Sequence, residues 1–383
     1  MYHIALIRSA SSAVSKSGYN IQEIGMAKEL AKLGMQVDVF LISDRNETYS
    51  EKTGVEDRVT VYWLKGIKIP GQQGYYRDLN KILDNNHYDL IQALDDSQIT
   101  TVLTSLYCKK KGIKFVLWQG MYENYPEKYK RMIQYLFDWS LLKILRKNTK
   151  YCIAKTTSAK KYLEMKKFSN ISVIPVGLEL GNFSNNRKID YRKKIGIPNN
   201  QNILLYVGKV EERRKPIFCM DVYQKVKEKC DDCCIVYVGK GPMLETVHNY
   251  VKEKNIKDVH FIDRIAQNEL PDLYNESSLF ILPTRYEIFG MVLMEAMYFE
   301  SPVITYKAAG PIDVVENEID GIIMDNFEAD KWAEKILYHL KNNDCKKMGI
   351  KGKEKIMKKY LWPYIAKKNY KKFVEIIENG MEK

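Results

Sequence analysis

The chain has 383 residues, of which 45% are hydrophobic and 28% are charged, and its formal net charge is +13. This length predicts two domains of ordinary globular composition, and the lack of any run of 18 apolar residues excludes a membrane span. The positive charge favours an anionic partner such as a nucleotide diphosphate or an acidic membrane surface, although surface lysines can also serve solubility alone.

The seven cysteines follow neither a metal-binding nor a disulfide pattern. Cys230, Cys233 and Cys234 cluster at the start of a predicted strand, but no second cysteine pair or histidine pair follows them. An odd count without a framework favours free, buried thiols in a reducing compartment. Residues 2–7 are too short for the apolar core of a signal peptide, so we expect a cytoplasmic protein.

Short apolar runs alternate with helical patterns along the chain. In the first half, the predicted strands cover 2–7, 37–42, 59–64, 90–94, 115–118, 152–154 and 172–176. The clearest helix covers 22–33 and ends before Gly34, a typical C-terminal cap. In the second half, the predicted strands cover 203–207, 234–238, 259–262, 279–282, 303–306 and 322–324. Uninterrupted apolar strands are typical of parallel sheets that helices cover on both faces.

We therefore predict an α/β protein with two Rossmann-like, doubly wound parallel-sheet domains in series. The first domain would cover 1–178 and the second 179–383. The boundary is placed after Pro175-Val176-Gly177, where a polar stretch at 181–188 follows. A last amphipathic helix is predicted at 363–380.

The segment 283–297 carries the strongest chemical signal. It follows a predicted strand, at the edge of a parallel sheet where ligands bind. Gly290 can begin a helix whose free backbone N–H groups would attract a diphosphate. Glu287 precedes this helix and Glu295 lies inside it, so one carboxylate could reach sugar hydroxyls and the other the ribose. Taken alone, two glutamates at this spacing could also be ordinary surface carboxylates.

A second candidate loop follows the strand 203–207. Gly208 allows a tight turn, and Lys209 and Lys215 bracket a loop that can bring two ammonium groups onto one phosphate pair. A solvated run of charges is the alternative. Three further turns follow predicted strands, and each alone is a weak signal: Gly239 to Pro242, Gly310-Pro311, and Ser17-Gly18 before the helix 22–33.

Together these residues resemble glycosyltransferase family 4, the retaining enzymes of the GT-B fold. The family's E-x7-E motif corresponds to Glu287 and Glu295, and its phosphate-binding elements correspond to Gly208-Lys209 and Lys215-Pro216. The remaining matches are Pro175 to Glu179, Gly239 to Pro242, and Ser301 to Ile304 with Ala309-Gly310.

The resemblance implies a nucleotide-sugar donor and gives the site residues their roles. Glu287 would contact the donor sugar, Glu295 would hold the ribose, and Lys209 and Lys215 would bind the diphosphate. Catalysis would rest on Glu287 and the two lysines. The other implied donor-binding residues are Gly18, Gly208, Arg264, Ile265, Phe289, Gly290, Met291 and Val292. The helix 363–380 would cross back to the first domain.

No metal or other cofactor is expected. The chain has adjacent aspartates, Asp95-Asp96 and Asp231-Asp232, rather than an Asp-x-Asp motif, and both pairs are predicted at turns or on the surface. Positive side chains and the helix terminus would stabilise the leaving diphosphate instead.

Three positions depart from the family pattern. Lys209 stands where arginine is usual, Ser17-Gly18 where two glycines are usual, and Trp118-Gln119-Gly120 where a histidine often follows the strand. Because glutamine cannot carry charge, a general base is not expected there. Gln119 and Gly120 are expected on the acceptor and sugar side instead.

Residues 125–150 combine seven basic side chains with apolar residues at helical spacing. The apolar residues are Met132, Tyr135, Leu136, Trp139, Leu142 and Leu145. A basic amphipathic helix with Trp and Tyr is typical of peripheral contact with an anionic membrane. A core-facing helix with a solvated basic back is the alternative. The membrane interpretation would favour a lipid-linked acceptor.

We therefore expect a retaining glycosyltransferase that moves a sugar from a UDP- or GDP-sugar to a glycan or lipid-linked acceptor in bacterial-type surface polysaccharide synthesis. The alternatives are a nucleotide-sugar epimerase or phosphorylase on the same fold, and a catalytically silent sugar-nucleotide-binding subunit. A dehydrogenase is disfavoured because no G-x-G-x-x-G follows a strand with the required acidic residue. Nucleic-acid binding is disfavoured because the basic residues are dispersed.

Overall fold

The computed structural model describes residues 1–8, 21–43, 47–69, 73–181, 183, 189–342 and 344–379. It divides the chain into two compact units. The first contains Met1–Glu179 together with the chain from Trp362 onward, and the second contains Leu180–Leu361. The division after Glu179 lies one residue from the boundary predicted from the sequence. Residues 182 and 184–188 of the polar stretch that marked this boundary lie outside the described residues.

The first unit contains ten described strands. They are β1 (His3–Ile7), β2 (Gln36–Ile42), β3 (Tyr49–Thr53), β4 (Val59–Leu64), β5 (Gly66–Ile69), β6 (Gln73–Tyr76), β7 (Leu90–Leu94), β8 (Lys114–Gln119), β9 (Tyr151–Ala154) and β10 (Ile171–Val173). Eight of them form one sheet in the order β10-β9-β8-β7-β1-β2-β4-β3, and β5 pairs with β6 in a separate hairpin. The sheet is parallel except at its edge, where β3 pairs antiparallel with β4.

The sequence prediction missed the edge strand β3 and the hairpin. In β3 exposed residues alternate with half-buried ones, so this strand has no apolar run. The buried strands were predicted within one or two residues, with a larger difference only at the end of β10. The helices of this part are α1 (Gln22–Lys32), α2 (Leu79–Asp84), α3 (Ile99–Lys111), α4 (Lys128–Asn148) and α5 (Thr157–Met165). Helix α1 ends as predicted, because Gly34 adopts a φ of 92° and the Met35 N–H reaches back to the Leu30 carbonyl.

The second unit is built on a six-stranded parallel sheet in the order β13-β12-β11-β14-β15-β16. Its strands are β11 (Asn202–Val207), β12 (Cys233–Val238), β13 (Val259–Ile262), β14 (Leu279–Leu282), β15 (Val303–Tyr306) and β16 (Ile322–Met324). The described helices are α6 (Tyr191–Ile195), α7 (Pro216–Lys227), α8 (Leu244–Glu253), α9 (Leu270–Glu276), α10 (Met291–Tyr298), α11 (Ala309–Val314), α12 (Ala329–Lys341) and α13 (Asp344–Lys359). The strand order reverses between β11 and β14, which makes this pair the switch point of a doubly wound sheet.

The last helix, α14 (Trp362–Glu378), belongs to the first unit and packs against α1. The Trp362 indole fills a space that two glycines leave open. A Cβ on Gly25 would lie 2.4 Å from its Nε1, and a Cβ on Gly177 would lie 2.5 Å from its ring. Because Trp362 is buried, its replacement by alanine would cost about 3–5 kcal/mol of stability. Among the described residues, no helix is both long and apolar enough to cross a bilayer.

Candidate functional site

The clearest candidate site lies at the carboxyl ends of β11 and β14, on either side of the switch point of the second sheet. Parallel α/β sheets bind ligands in the crevice at such a point. One loop follows β11 and covers 208–215, and the other follows β14 and covers 283–290. The Arg285 N–H donates to the Arg213 carbonyl over 3.0 Å, and the Thr284 hydroxyl donates to the same carbonyl over 3.3 Å. These hydrogen bonds hold the two loops together.

Glu287 lies between two guanidinium groups. Its Oε2 is 3.4 Å from Arg214 Nη2 and 3.6 Å from Arg213 Nη1. Arg213 also donates to the Tyr286 carbonyl over 2.8 Å and to Glu211 Oε1 over 2.6 Å. The structure therefore surrounds the predicted sugar-binding carboxylate with arginines to which sequence analysis gave no role. The only available signal was the double arginine in the loop after Gly208.

The two predicted phosphate-binding lysines pair with acidic residues of their own loop. Lys209 Nζ is 2.9 Å from Glu211 Oε2, and this lysine side chain is 63% exposed. Lys215 adopts a left-handed φ of 51° immediately before α7. Its Nζ lies 3.8 Å from Glu212 Oε1 and 5.8 Å from the centre of the Phe327 ring. Both pairs are exposed enough for a ligand with more negative charge to compete for the lysines.

Gly208 makes room for the Arg214 guanidinium. A Cβ at Gly208 would lie 2.7 Å from Arg214 Nη1. The Arg214 side chain is 11% exposed, and its Nε and Nη1 have no hydrogen-bond partner among the described residues. Leaving such donors unsatisfied is costly, and phosphate oxygens are strong acceptors for guanidinium N–H groups.

Helix α10 begins at the same crevice. Its N-terminal cap is Gly290, which has a φ of 83°, and the Leu293 and Met294 N–H groups both donate to the Gly290 carbonyl. The preceding N–H groups, from Met291 and Val292, have no acceptor within the helix. This end of the helix therefore adds a partial positive charge beside Glu287.

The side chain of Phe289 packs inside the second unit. It is buried, and its ring centre is 6.1 Å from that of Tyr360. A Cβ on Gly310 would lie 2.3 Å from the Phe289 Cα, so the glycine of the predicted Gly310-Pro311 turn lets α11 approach the loop closely. The Gly310 N–H also donates to the Glu287 carbonyl over 3.0 Å. Any contact of Phe289 with a donor would come from its backbone.

Glu295, the second glutamate of the motif, is fully buried inside the second unit. The Tyr274 hydroxyl donates to its Oε2 over 3.2 Å, and its Oε1 has no partner among the described residues. Burial raises the pKa of Glu295 well above that of an ordinary glutamate. Only one oxygen of this buried carboxyl is therefore hydrogen-bonded within the described residues.

The glycine turn after β12 shapes the loop after β11. A Cβ on Gly239 would lie 1.8 Å from the Gly208 carbonyl oxygen, and a Cβ on Gly241 would lie 2.1 Å from the Val210 carbonyl oxygen. These glycines are needed for backbone contact within the protein. At the end of β13, Arg264 is exposed and Ile265 is half-buried.

In the first unit, the predicted acceptor-side glutamine is a structural residue. Gln119 is fully buried, and its Oε1 accepts from the Asp96 N–H over 2.9 Å. Its Nε2 donates to Asp96 Oδ1 and to the Met121 carbonyl. Both ends of the amide are therefore engaged, which corrects the expectation that Gln119 faces a sugar. Gly120 donates its N–H to Asp95 Oδ1 over 2.8 Å, and the predicted residue Gly18 lies outside the described residues.

Asp96 lies in the turn after β7, as predicted, but it is not on the surface. This carboxylate is fully buried and accepts from Lys166 Nζ over 2.6 Å, and Lys166 also pairs with Asp138. Asp95 adopts a left-handed φ of 59° and uses its carboxylate to hold the turn after β8. Asp231 and Asp232 are exposed, as predicted.

A second buried charge cluster was missed by sequence analysis. Lys155, directly after β9, is buried, and its Nζ lies 3.8 Å from the Trp118 ring centre and donates to Gln22 Oε1. Burial lowers the pKa of Lys155 to about 8, against the opposing effects of Asp95 and Glu23. The sequence feature that could have indicated this cluster is a lysine directly after an apolar strand.

Metal ligands do not gather in the described part of the chain: no three or more His, Cys, Asp or Glu side chains there are arranged to hold an ion. The seven cysteines are free thiols, as predicted, and five of them are also buried as predicted, whereas Cys230 and Cys345 are half-buried.

Two protein-family models match the chain in succession. The model of Glycosyltransferase Family 4 matches residues 24–181, and the model of Glycosyl transferases group 1 matches residues 187–355. The chain belongs to glycosyltransferase family 4. Its two units form the GT-B fold, as the sequence resemblance implied.

Two curated relatives match this chain over most of its length at low sequence identity. An uncharacterized glycosyltransferase of Haemophilus influenzae is 24% identical over 314 residues, which cover 81% of this chain and 82% of the relative. The UDP-Gal:alpha-D-GlcNAc-diphosphoundecaprenol alpha-1,3-galactosyltransferase of Escherichia coli is 22% identical over 274 residues, or 68% of each chain. Several other curated relatives align over less than half of their own length, the lowest share being 36%.

Solved structures support the same architecture. Sucrose-phosphate synthase from Thermosynechococcus elongatus superposes with a TM-score of 0.78 at 19% sequence identity. The superposition covers 99% of this chain and 100% of the synthase. At this level of identity, the likeness establishes the fold.

Proposed function

We propose that this family 4 member is a retaining glycosyltransferase whose nucleotide-sugar donor binds at the carboxyl ends of β11 and β14. The observation that carries the proposal is the Arg214 guanidinium, which is nearly buried and keeps two donor nitrogens free among the described residues. It lies beside Glu287 and the start of α10. A buried cation and a helix N-terminus next to a carboxylate suit a ligand with a diphosphate at one end and sugar hydroxyls at the other.

In this proposal the positive groups stabilise the leaving nucleoside diphosphate. Arg214 donates to the phosphate oxygens, and the N–H groups of Met291 and Val292 add the helix charge. Lys209 and Lys215 exchange their carboxylate partners for phosphate, since solvent-accessible ion pairs of this kind are weak.

Glu287 and Glu295 serve the two sugars of the donor. Glu287 accepts hydrogen bonds from hydroxyls of the transferred sugar, while its two arginines hold the carboxylate in place. Glu295 offers its free Oε1 to a ribose hydroxyl. Contacts with the base come from the chain near Arg264 and Ile265.

Retention of configuration is the finer part of the proposal. The acceptor hydroxyl would attack from the face that the diphosphate leaves, with a phosphate oxygen taking the proton. NMR of the product tests this directly, because an α-configured donor should yield an α-linked product. A β-linked product would refute retention, and release of an epimerised free sugar would indicate the epimerase alternative.

The donor nucleotide is expected to be UDP or GDP, and the Escherichia coli relative named above is a UDP-galactose enzyme. Thermal-shift measurements with UDP-, GDP- and ADP-sugars, with and without EDTA, test both the base and the expected independence from metal. Stabilisation by one donor that survives EDTA is the predicted result. No stabilisation by any nucleotide would refute the donor site.

The acceptor is expected to be a glycan or a lipid-linked sugar in bacterial-type surface polysaccharide synthesis. The same relative carries a diphosphoundecaprenol acceptor in its name. Transfer of a radiolabelled sugar to a lipid-diphosphate-linked acceptor, compared with the free acceptor sugar, tests this assignment. Donor binding without transfer to any acceptor would favour a catalytically silent sugar-nucleotide-binding subunit.

A further inference from the structure

Helix α4 has an exposed apolar face. Six large apolar side chains on this one helix are between 39% and 74% exposed. They are Tyr129, Met132, Tyr135, Leu136, Trp139 and Ile144. Soluble proteins scatter such side chains singly, so six on one helix mark an interaction surface.

Four of these side chains lie opposite the buried face of the helix, whereas Tyr135 and Ile144 lie at the margins of that face. Tyr129, Met132, Leu136 and Trp139 follow the spacing i, i+3, i+7 and i+10, which places them on one stripe. The buried residues of α4 form a second stripe: Gln134, Phe137, Leu142 and Leu145. The core therefore takes one side of α4, and the outer side is apolar as well as basic. The sequence also allowed a core-facing helix whose outer side carries only solvated basic residues. The structure differs from that alternative, because the outer side of α4 carries apolar residues as well.

The outer face of α4 is also strongly positive. Lys128, Lys143 and Lys147 are exposed; the first two lie within about one helical turn of the stripe, and Lys147 lies about two turns beyond it. The acidic residue within the helix, Asp138, is paired with Lys166. At the C-terminal end of α4, four lysines line a cavity of about 220 Å³: Lys109, Lys114, Lys147 and Lys150.

We propose that this face of α4, from Tyr129 to Lys147, docks on an anionic lipid bilayer. Leu136 and Trp139 enter the interface, and the lysines contact the headgroups. The combination of Trp, Tyr and Met with flanking lysines favours a bilayer, because Trp and Tyr prefer the membrane interface and cations bind its anionic surface. The inference does not depend on the proposed reaction, but it would bring the enzyme to the surface that holds a lipid-linked acceptor.

The fluorescence of Trp139 can report the contact between α4 and lipid. Of its five tryptophans, Trp63, Trp118, Trp332 and Trp362 are at most 3% exposed, whereas Trp139 is 74% exposed. Vesicles of phosphatidylcholine with phosphatidylglycerol should therefore shift the tryptophan emission to the blue, and brominated lipid should quench it. Trp139→Phe should remove the signal while flotation with the vesicles persists.

Variants of the stripe separate docking from folding. The combined change Met132→Ser, Leu136→Ser and Trp139→Ser should lower the vesicle partition coefficient at least about tenfold, because it removes most of the inserted apolar surface. Lys143→Glu alone should lower it about fivefold, and high salt should act in the same direction. The matched control is Tyr338→Ser with Met357→Ser, which removes similarly exposed apolar side chains from α12 and α13 and should leave partitioning unchanged.

Three outcomes would overturn the proposal. The first is absence of flotation with anionic vesicles at low salt. The second is flotation without any change in Trp139 emission, which would place the contact elsewhere. The third is protection of Trp139 that rises with protein concentration in the absence of lipid, which would indicate a second copy of the chain as the occupant. Thermal shift by the nucleotide donor is measured on the same variants and should be unchanged, so failure of the donor site would be recognised separately.

Discussion

The two parallel sheets end in different kinds of charge cluster. At the carboxyl edge of the first sheet, Asp96, Gln119 and Lys166 satisfy one another in a buried network. At the carboxyl edge of the second sheet, Arg214 keeps two donor nitrogens without a partner among the described residues. Charged and polar residues at the end of a parallel strand thus do not by themselves mark a ligand site. The two clusters differ in the hydrogen-bonding capacity that the fold leaves unused.

The largest effect is expected at Glu287. Glu287→Gln keeps the size of the side chain but removes the charge that its two arginines face, so sugar transfer should fall about 100-fold or more. Steady-state kinetics measures this, with the exposed Glu245→Gln of α8 as the control. Full activity of Glu287→Gln would remove this residue from the site.

The matching test in the first unit is Gln119→Ala. It would leave the Asp96 N–H and the Met121 carbonyl without their partner in a buried place, and should lower the free energy of unfolding by about 2 kcal/mol. Chemical denaturation measures this, with the exposed Asn80→Ala of α2 as the control. The dissociation constant of the nucleotide should not change. Loss of nucleotide binding with unaltered stability would instead make Gln119 a ligand-binding residue.

Arg214→Lys tests the charge cluster of the second unit. Lysine keeps the charge but cannot place N–H donors at the positions of both Nε and Nη1, so the affinity for the nucleoside diphosphate should fall about 10- to 30-fold. Calorimetry measures this, and the exposed Arg77→Lys of the first unit serves as the control. Unchanged affinity would mean that the free nitrogens of Arg214 do not face the ligand.

The smallest expected effect concerns the pH dependence of stability. Since burial raises the pKa of Glu295, the folded protein keeps a proton that the unfolded chain releases above about pH 4.5. Between about pH 4.5 and the raised pKa of Glu295, the free energy of unfolding therefore falls as pH rises. This group contributes about 1.4 kcal/mol per pH unit to the decrease. Glu295→Gln should remove this slope, whereas the exposed Glu253→Gln should not. Equal slopes in all three proteins would contradict a raised pKa.

Sequence patterns predicted the buried strands well because few other structures are compatible with a short, continuous apolar run. They also located the Glu287 motif, since a glycine and a carboxylate directly after a strand indicate the ligand-binding edge. They missed β3, whose alternating exposure lacks an apolar run. They gave a cationic role to Lys209 and Lys215 but none to Arg214, because loop geometry decides which of several neighbouring cations turns inward.

The structural roles of Gln119 and Lys155 could not be predicted from the sequence for a similar reason. A residue after a strand can face a ligand or fold back into the protein, and its partners are distant in sequence: Asp96 for Gln119, and Gln22 for Lys155. Only the assembled sheet brings these partners together.

Hydrogen exchange with and without UDP or GDP tests the central claim most directly. We predict that the nucleotide slows exchange at residues 208–215 and 287–293, while the turns after β7 and β8 exchange at unchanged rates. Protection at those first-unit turns, with none at 208–215 or 287–293, would contradict the assignment of the donor site to the crevice between β11 and β14.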